Sequence, residues 1–185
     1  FYLNQGVSED GVPLFEDVTA IVGFDRSDRG MGAVLSDLDL DGDLDLYVAN
    51  DSNPNYVYQN RGDGTFADVT DAVTGIRRWS VPATVGDFDR DGRLDLFVGN
   101  YLKFRITSEQ GCFTETGTPQ YCGPLAYRSD ADRLFHNQGD GTFEEDLIPE
   151  DVIKSLESVR VHDAEFIDFD NDGYLDLLTV GESTR

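Results

Sequence analysis

Short apolar runs recur along this chain, and the most regular of them each follow an acidic segment. Leu46-Tyr47-Val48-Ala49-Asn50 follows the segment 37–45, Leu96-Phe97-Val98-Gly99-Asn100 follows 87–95, and Leu177-Leu178-Thr179-Val180-Gly181 follows 168–176. A shorter run precedes each segment, as in Ala83-Thr84-Val85-Gly86. The length of these runs and their strand-like alternation predict β-strands on both sides of each acidic segment. Tyr56–Tyr58 and Thr65–Val69 flank Asp63-Gly64, a hairpin signal, and predict a second pair of strands. No sustained 3.6-residue periodicity is found outside Glu150–Val159, which disfavours a helical solenoid. No stretch of 18 apolar residues exists, so no membrane insertion is expected.

The acidic segments are copies of one motif. Asp37-Leu-Asp39-Leu-Asp41-Gly42-Asp43-Leu44-Asp45 recurs as Asp87-Phe-Asp89-Arg-Asp91-Gly92-Arg93-Leu94-Asp95 and as Asp168-Phe-Asp170-Asn-Asp172-Gly173-Tyr174-Leu175-Asp176. A second motif alternates with it: Asn60-Arg-Gly62-Asp63-Gly64-Thr65-Phe66 recurs as Asn137-Gln-Gly139-Asp140-Gly141-Thr142-Phe143. Asn4-Gln5-Gly6 and Phe15–Thr19 form a looser copy. Positions 37 and 87 are 50 residues apart, whereas 87 and 168 are 81 apart, and the excess falls near 101–130.

Each unit then holds about four strands, and alanine stands four residues before each acidic segment, at Ala33, Ala83 and Ala164, as suits an inner strand crowded near an axis. Four-stranded units of about this size are propeller blades. The fold expected is all-β: blades of four antiparallel strands in a partial propeller, about three blades' worth of chain. The whole of 1–185 is read as one repeat region. Residues 1–30 are the tail of a blade, 31–76 the first full repeat, 77–150 the second repeat with an inserted loop near 101–130, and 151–185 the start of a third.

The spacing of the aspartates identifies their chemistry. Ca²⁺ takes six to eight oxygen ligands, and carboxylates at alternate positions of a tight loop converge on one point. Positions 1, 3 and 5 supply Asp37, Asp39 and Asp41; Asp87, Asp89 and Asp91; and Asp168, Asp170 and Asp172. Glycine at position 6 permits the turn. Position 7 varies among Asp43, Arg93 and Tyr174, which fits a backbone carbonyl ligand, and an acid at position 9 closes each loop at Asp45, Asp95 and Asp176. An EF-hand would want Glu at position 12, where this chain has Val48, Val98 and Thr179. About three Ca²⁺ ions are expected, in structural roles; Mg²⁺, which prefers rigid octahedral sites that keep several waters, fits less well.

Charge agrees with this. Fourteen Lys and Arg face 37 Asp and Glu, a formal net charge of −23, which disfavours nucleic acid and anionic membrane as partners. Cys112 and Cys122 lie in a Gly-, Thr- and Pro-rich segment with no His nearby, and a disulfide between them is expected, implying an oxidising compartment. Asn50-Asp51-Ser52 is a glycosylation sequon, a tripeptide common by chance.

These residues resemble the FG-GAP/VCBS-type repeats of integrin α-chain propellers and, more closely, the secreted cartilage acidic protein and ASPIC/UnbV group. Gly32-Ala33, Asp37 through Asn50 and Asn60 through Thr70 carry the likeness, which covers nearly all of the chain except about 101–130. The resemblance implies a calcium-binding extracellular propeller for adhesion, structure or ligand display, without catalysis, meeting a protein or glycan partner. Two other functions compete. One is a polysaccharide-binding or lyase-associated propeller, with Arg29, Arg77, Arg78, Trp79, Arg160 and His162 as candidates just ahead of the acidic loops; no role is expected for His136. The other is a homo-oligomer or filament, because the chain opens within one blade and stops within another, so that neighbouring copies complete each other.

Overall fold

In the computed structural model of the protein, residues 1–70, 77–104, 111–145, 152 and 159–183 are described. Strands β1 (Tyr2–Val7) and β2 (Pro13–Asp17) form an antiparallel hairpin. The first complete blade is β3 (Gly30–Ser36), β4 (Asp45–Pro54), β5 (Tyr56–Asn60) and β6 (Phe66–Asp68), each antiparallel to the next. The second begins with β7 (Arg77–Gly86) and β8 (Asp95–Asn100). An excursion follows with the short pair β9 (Cys112–Phe113) and β10 (Pro119–Gln120), and then β11 (Arg133–Asn137) and β12 (Phe143–Glu145) complete the blade. A last hairpin joins β13 (Val159–Ile167) to β14 (Asp176–Ser183). The fold is all-β and antiparallel, a partial propeller of four-stranded blades with almost no helix among the described residues. The helical pattern at Glu150–Val159 lies outside the described residues, apart from Val152 and from Val159, which opens β13.

The inner strands β3, β7 and β13 pack side by side, and the far end of β4 pairs with β7 at Asp51 and Trp79, joining the two complete blades into one sheet. Gly32 of β3 lies so close to β7 that a Cβ there would sit 2.5 Å from the Val81 carbonyl oxygen. The main apolar cluster lies between the blades: Leu38, Tyr47, Ala49 and Val57 of the first meet Leu96, Val98 and Phe135 of the second. Burial on both faces explains why β8 is buried along its whole length.

A buried polar chain also crosses between the blades. Asn55 Nδ2 donates to the Tyr47 hydroxyl at 2.8 Å and to Ser80 Oγ at 3.1 Å, and Ser80 Oγ donates to Asn100 Oδ1 at 2.9 Å. Asn50 and Asn100 stand at the same position of their blades, five residues after the closing acid, and are clamped alike. The Asn50 N–H donates to Asn55 Oδ1 at 2.9 Å, and the Asn100 N–H donates to Asp132 Oδ1 at 2.6 Å. The Asn50 amide itself is buried and donates to the Pro54 carbonyl at 2.7 Å, which takes the sequon out of solvent.

Asp132 is the charged counterpart of Asn55. Its Oδ2 is buried without a hydrogen-bond partner. Burial pushes its carboxyl from 3.8 up to about 7, helped by the charge of Asp130 and opposed by the Asn100 N–H and by Arg133. Between those values the folded chain keeps a proton that the unfolded chain releases, so the stability present at low pH falls as pH rises through that window. Asp132→Asn, which restores the residue type of the first blade, is expected to raise the melting temperature above about pH 7 and to flatten the wild-type decline between the two values. A melting series against pH on both chains checks this; parallel curves would refute it. Gly32→Ala is expected to destabilise by roughly 1–3 kcal/mol in urea unfolding, because the new Cβ has only backbone to push against.

Candidate metal centres

The three acidic loops each connect the two inner strands of a blade, and they share one backbone. Position 4 is left-handed in all three although none is glycine: Leu40, Arg90 and Asn171 have φ of 64°, 67° and 61°. Gly42, Gly92 and Gly173 follow at 95°, 89° and 89°. The same hydrogen bonds hold the turns. The N–H of Gly42, Gly92 and Gly173 donates to Oδ2 of Asp37, Asp87 and Asp168 at 3.1, 3.0 and 3.0 Å. Position 5 donates to the carboxylate at position 3, from Asp41 to Asp39, from Asp91 to Asp89 and from Asp172 to Asp170. Position 7 donates to position 5, from Asp43, Arg93 and Tyr174.

This geometry gathers the acids. Ligand atoms of Asp37, Asp39 and Asp41 lie within 4.8 Å of one another, as do those of Asp87, Asp89 and Asp95, and of Asp168, Asp170 and Asp176. Asp37 Oδ1 is buried and accepts no hydrogen bond. A carboxylate oxygen withdrawn from water in this way is costly without a proton or a cation to meet it, and the all-oxygen donor set is that of a hard divalent ion. The residues present fit Ca²⁺, which Asp37, Asp39, Asp41 and Asp45 would hold in the first loop and their counterparts in the others, although the converging trios leave out Asp45, Asp91 and Asp172.

The closing acids tie each loop to the second motif. Asp45 Oδ2 accepts from the Leu38 N–H at 2.9 Å while Oδ1 accepts from the Asn60 N–H at 2.9 Å. Asp95 does the same with Phe88 at 3.2 Å and Asn137 at 2.9 Å. Burial pushes both carboxyls up, against those hydrogen bonds. Asp176 repeats the inner half of this pattern, accepting from the Phe169 N–H at 3.0 Å. The side chain at position 7 reaches the same hairpin: Asp43 packs against Gly62 and Arg93 against Gly139.

Sequence reasoning recognised the two motifs but not this joint, and it passed over the residue before each hairpin asparagine. Gln59 Nε2 donates to Asp39. His136, for which no role was expected, stands in the same place: its Nδ1 lies 3.2 Å from Asp89 and 3.4 Å from Asp95, and Nε2 lies 3.6 Å from Asp91. Arg93 pairs with Asp91 and donates from Nε to the Asn137 carbonyl at 2.7 Å. The second loop therefore meets two basic side chains of its own. Neighbouring loops also touch, with the Arg90 guanidinium 4.9 Å above the Tyr174 ring.

The basic and aromatic candidates are placed differently from expectation. They precede the loops in sequence, but Arg29 and Trp79 lie at the opposite ends of the inner strands from the loops, because β3 and β7 run between. Arg78 is paired with Asp130, Arg160 is buried and donates to the Tyr127 carbonyl at 2.9 Å, and His162 stacks on Tyr101 at 4.9 Å. The Arg77 side chain lies outside the described residues. Of the six, Trp79 and Arg29 share a cavity. Cys112 and Cys122 form the disulfide.

Comparison with known proteins agrees with the repeat. A family model described as FG-GAP-like repeat matches residues 37–98 and 124–179. Cartilage acidic protein 1 of Homo sapiens is 30% identical over 212 aligned positions, which cover 94% of this chain and 31% of that protein. Cartilage acidic protein 1 of Xenopus tropicalis is 30% identical over 66 residues, 36% of this chain and 10% of that protein. The chain spans less than a third of the length of these relatives.

The joint between loop and hairpin can be tested directly. The Asn137 amide donates to two carbonyls, the buried Leu38 at 2.8 Å and the half-buried Leu94 at 3.0 Å, whereas the Asn60 amide donates to Leu44 alone at 3.1 Å. Asn137→Ala is expected to cost roughly 1–3 kcal/mol per carbonyl orphaned, and so more than Asn60→Ala, in urea unfolding. Equal losses would show that the amide contacts are incidental.

Proposed function

The chain belongs to the FG-GAP-like repeat family, and on that premise we propose that it is a calcium-stabilised β-propeller module that works outside the cell in structure, adhesion or ligand display. The observation that carries the reading is the likeness of the three loops: one backbone path, a shared set of turn hydrogen bonds and three converging carboxylates in each, repeated where three pairs of inner strands turn. The buried, partnerless Asp37 Oδ1 points the same way. When bound, Ca²⁺ would supply positive charge to these carboxylates beyond what Arg93 and His136 bring to the second loop, and the protein's part is to hold the acids at fixed spacing and to anchor them to the outer strands through Asp45 and Asp95.

The reading is non-enzymatic, with the ion acting as structure. An extracellular setting is supported by the disulfide, which persists under oxidising conditions. No helix among the described residues is long and apolar enough to cross a membrane. The partner class that suits a display module is a protein or a glycan.

Calcium removal tests the proposal. At about 100 times its dissociation constant, an ion adds roughly 2.7 kcal/mol per site. Excess chelator is therefore expected to lower the melting temperature sharply, with Ca²⁺ restoring it and Mg²⁺ doing so poorly. Identical melting with and without chelator would reduce the loops to turns and overturn the reading.

A further inference from the structure

The blade ends farthest from the acidic loops border an open cavity of about 380 Å³, within the ~300–1,000 Å³ range of small-ligand sites. Trp79 of β7, Phe104 beyond β8, and Tyr121 and Tyr127 of the excursion line it. The Trp79 and Phe104 rings meet at 73° with centroids 6.0 Å apart, and those of Phe104 and Tyr127 at 82° and 5.4 Å. Successive rings thus stand nearly at right angles, as the walls of a box do. Tyr121 is fully exposed, beside the Cys112–Cys122 disulfide that fixes its loop.

One side of the box is polar. Asp51 pairs with Trp79 across β4 and β7, and its N–H donates to the Arg29 carbonyl at 2.9 Å. Its Oδ1 accepts from Ser52 Oγ at 2.6 Å. Ser52 is held at φ 59°, and the other non-glycine residues with positive φ among those described are the three at position 4 of the metal loops. Backbone in this region costs about 1–3 kcal/mol and is retained where a binding site needs it.

We propose that this cavity binds an organic cation bearing a quaternary or methylated ammonium group. The faces of Trp, Tyr and Phe rings carry negative potential, and a poorly hydrated cation enclosed by several of them is attracted to all. The Asp51 carboxylate supplies a full charge on the same wall, and the net charge of −23 concentrates cations around the chain. Arg29 is the opposing charge in the lining; its guanidinium stacks on none of the described rings of the cavity. An anion would meet Asp51 and the ring faces, and a saccharide, which would lie on the same rings, is told apart from a cation by the lactose arm of the test.

The chain has one tryptophan, so Trp79 fluorescence reports on the cavity directly. The calcium-loaded chain is titrated with choline and with its uncharged isostere 3,3-dimethylbutan-1-ol at constant ionic strength. Choline is expected to give a saturable change, and the isostere to bind at least roughly tenfold more weakly. Phe104→Leu and Asp51→Asn are each expected to weaken choline by roughly tenfold. Tyr121→Ala, which removes a ring no packing depends on, is the variant that keeps the test open if the others fail to fold. No saturable response to choline, equal binding of the isostere, an equal response to lactose, or a response unchanged in every folded variant would each overturn the proposal. Calcium-dependent melting that persists without choline binding would overturn this inference alone.

Discussion

Crowding of carboxylates in nine-residue loops is the constraint on which the rest of this structure depends. Four acids brought together by a turn repel one another, and two of the closing acids, Asp45 and Asp95, are almost completely withdrawn from water. Hydrogen bonds from backbone N–H groups offset part of that cost, and both of these acids take one from their own loop and one from the next hairpin. The same carboxylate therefore closes the acidic loop and serves as the pin joining the inner pair of strands to the outer pair.

The fold was legible because both periods of the sequence are strong. Alternating apolar runs marked the strands, the Asp-Gly turns marked the hairpins, and the spacing of the aspartates marked the loops. The joint between the motifs was not legible. Asn60 and Asn137 were visible as repeats, but their partners lie 15 and 42 residues away at Asp45 and Asp95, and local pattern carries no information about pairing over that distance. His136 was missed for the same reason: a lone histidine beside a hairpin asparagine shows its significance only when the fold brings Asp89 and Asp95 to it. The basic and aromatic candidates were assigned to the wrong end of the blade because nearness in sequence to the loops was taken for nearness in space. A strand of seven to ten residues such as β3 or β7 carries its first and last residues to opposite faces of the domain.

Blades built on a shared plan can differ in their tolerance of insertion, and the clamp at the end of the second strand shows how. In the first blade Asn50 is held by Asn55, five residues on; in the second Asn100 is held by Asp132, 32 residues on. Loop closure entropy grows only logarithmically with length, at about 0.6 kcal/mol per doubling, so the longer connection costs little once the clamp re-forms. The disulfide then shortens the free chain within the excursion. What changes is the clamp's chemistry, since a buried carboxyl replaces a neutral amide and keeps its proton to pH values near 7.

The two ends of the blades consequently carry different kinds of constraint. At the loop end positions 1, 3, 5, 6 and 9 are the same in all three loops, and the variation falls at positions 2, 4 and 7, as between Leu40, Arg90 and Asn171 or Asp43, Arg93 and Tyr174. At the clamp end only the backbone hydrogen bonds are fixed, and the excursion is free to supply Tyr121 and Tyr127 as new walls beside Trp79 and Phe104. A repeat whose stability is secured at one end by charge and hydrogen bonding leaves the other end available for recognition. The left-handed Ser52 follows from this division: its strain is borne by a strand already anchored through Asn50 and Asn55, so the wall it shapes can depart from the repeat without loosening the blade.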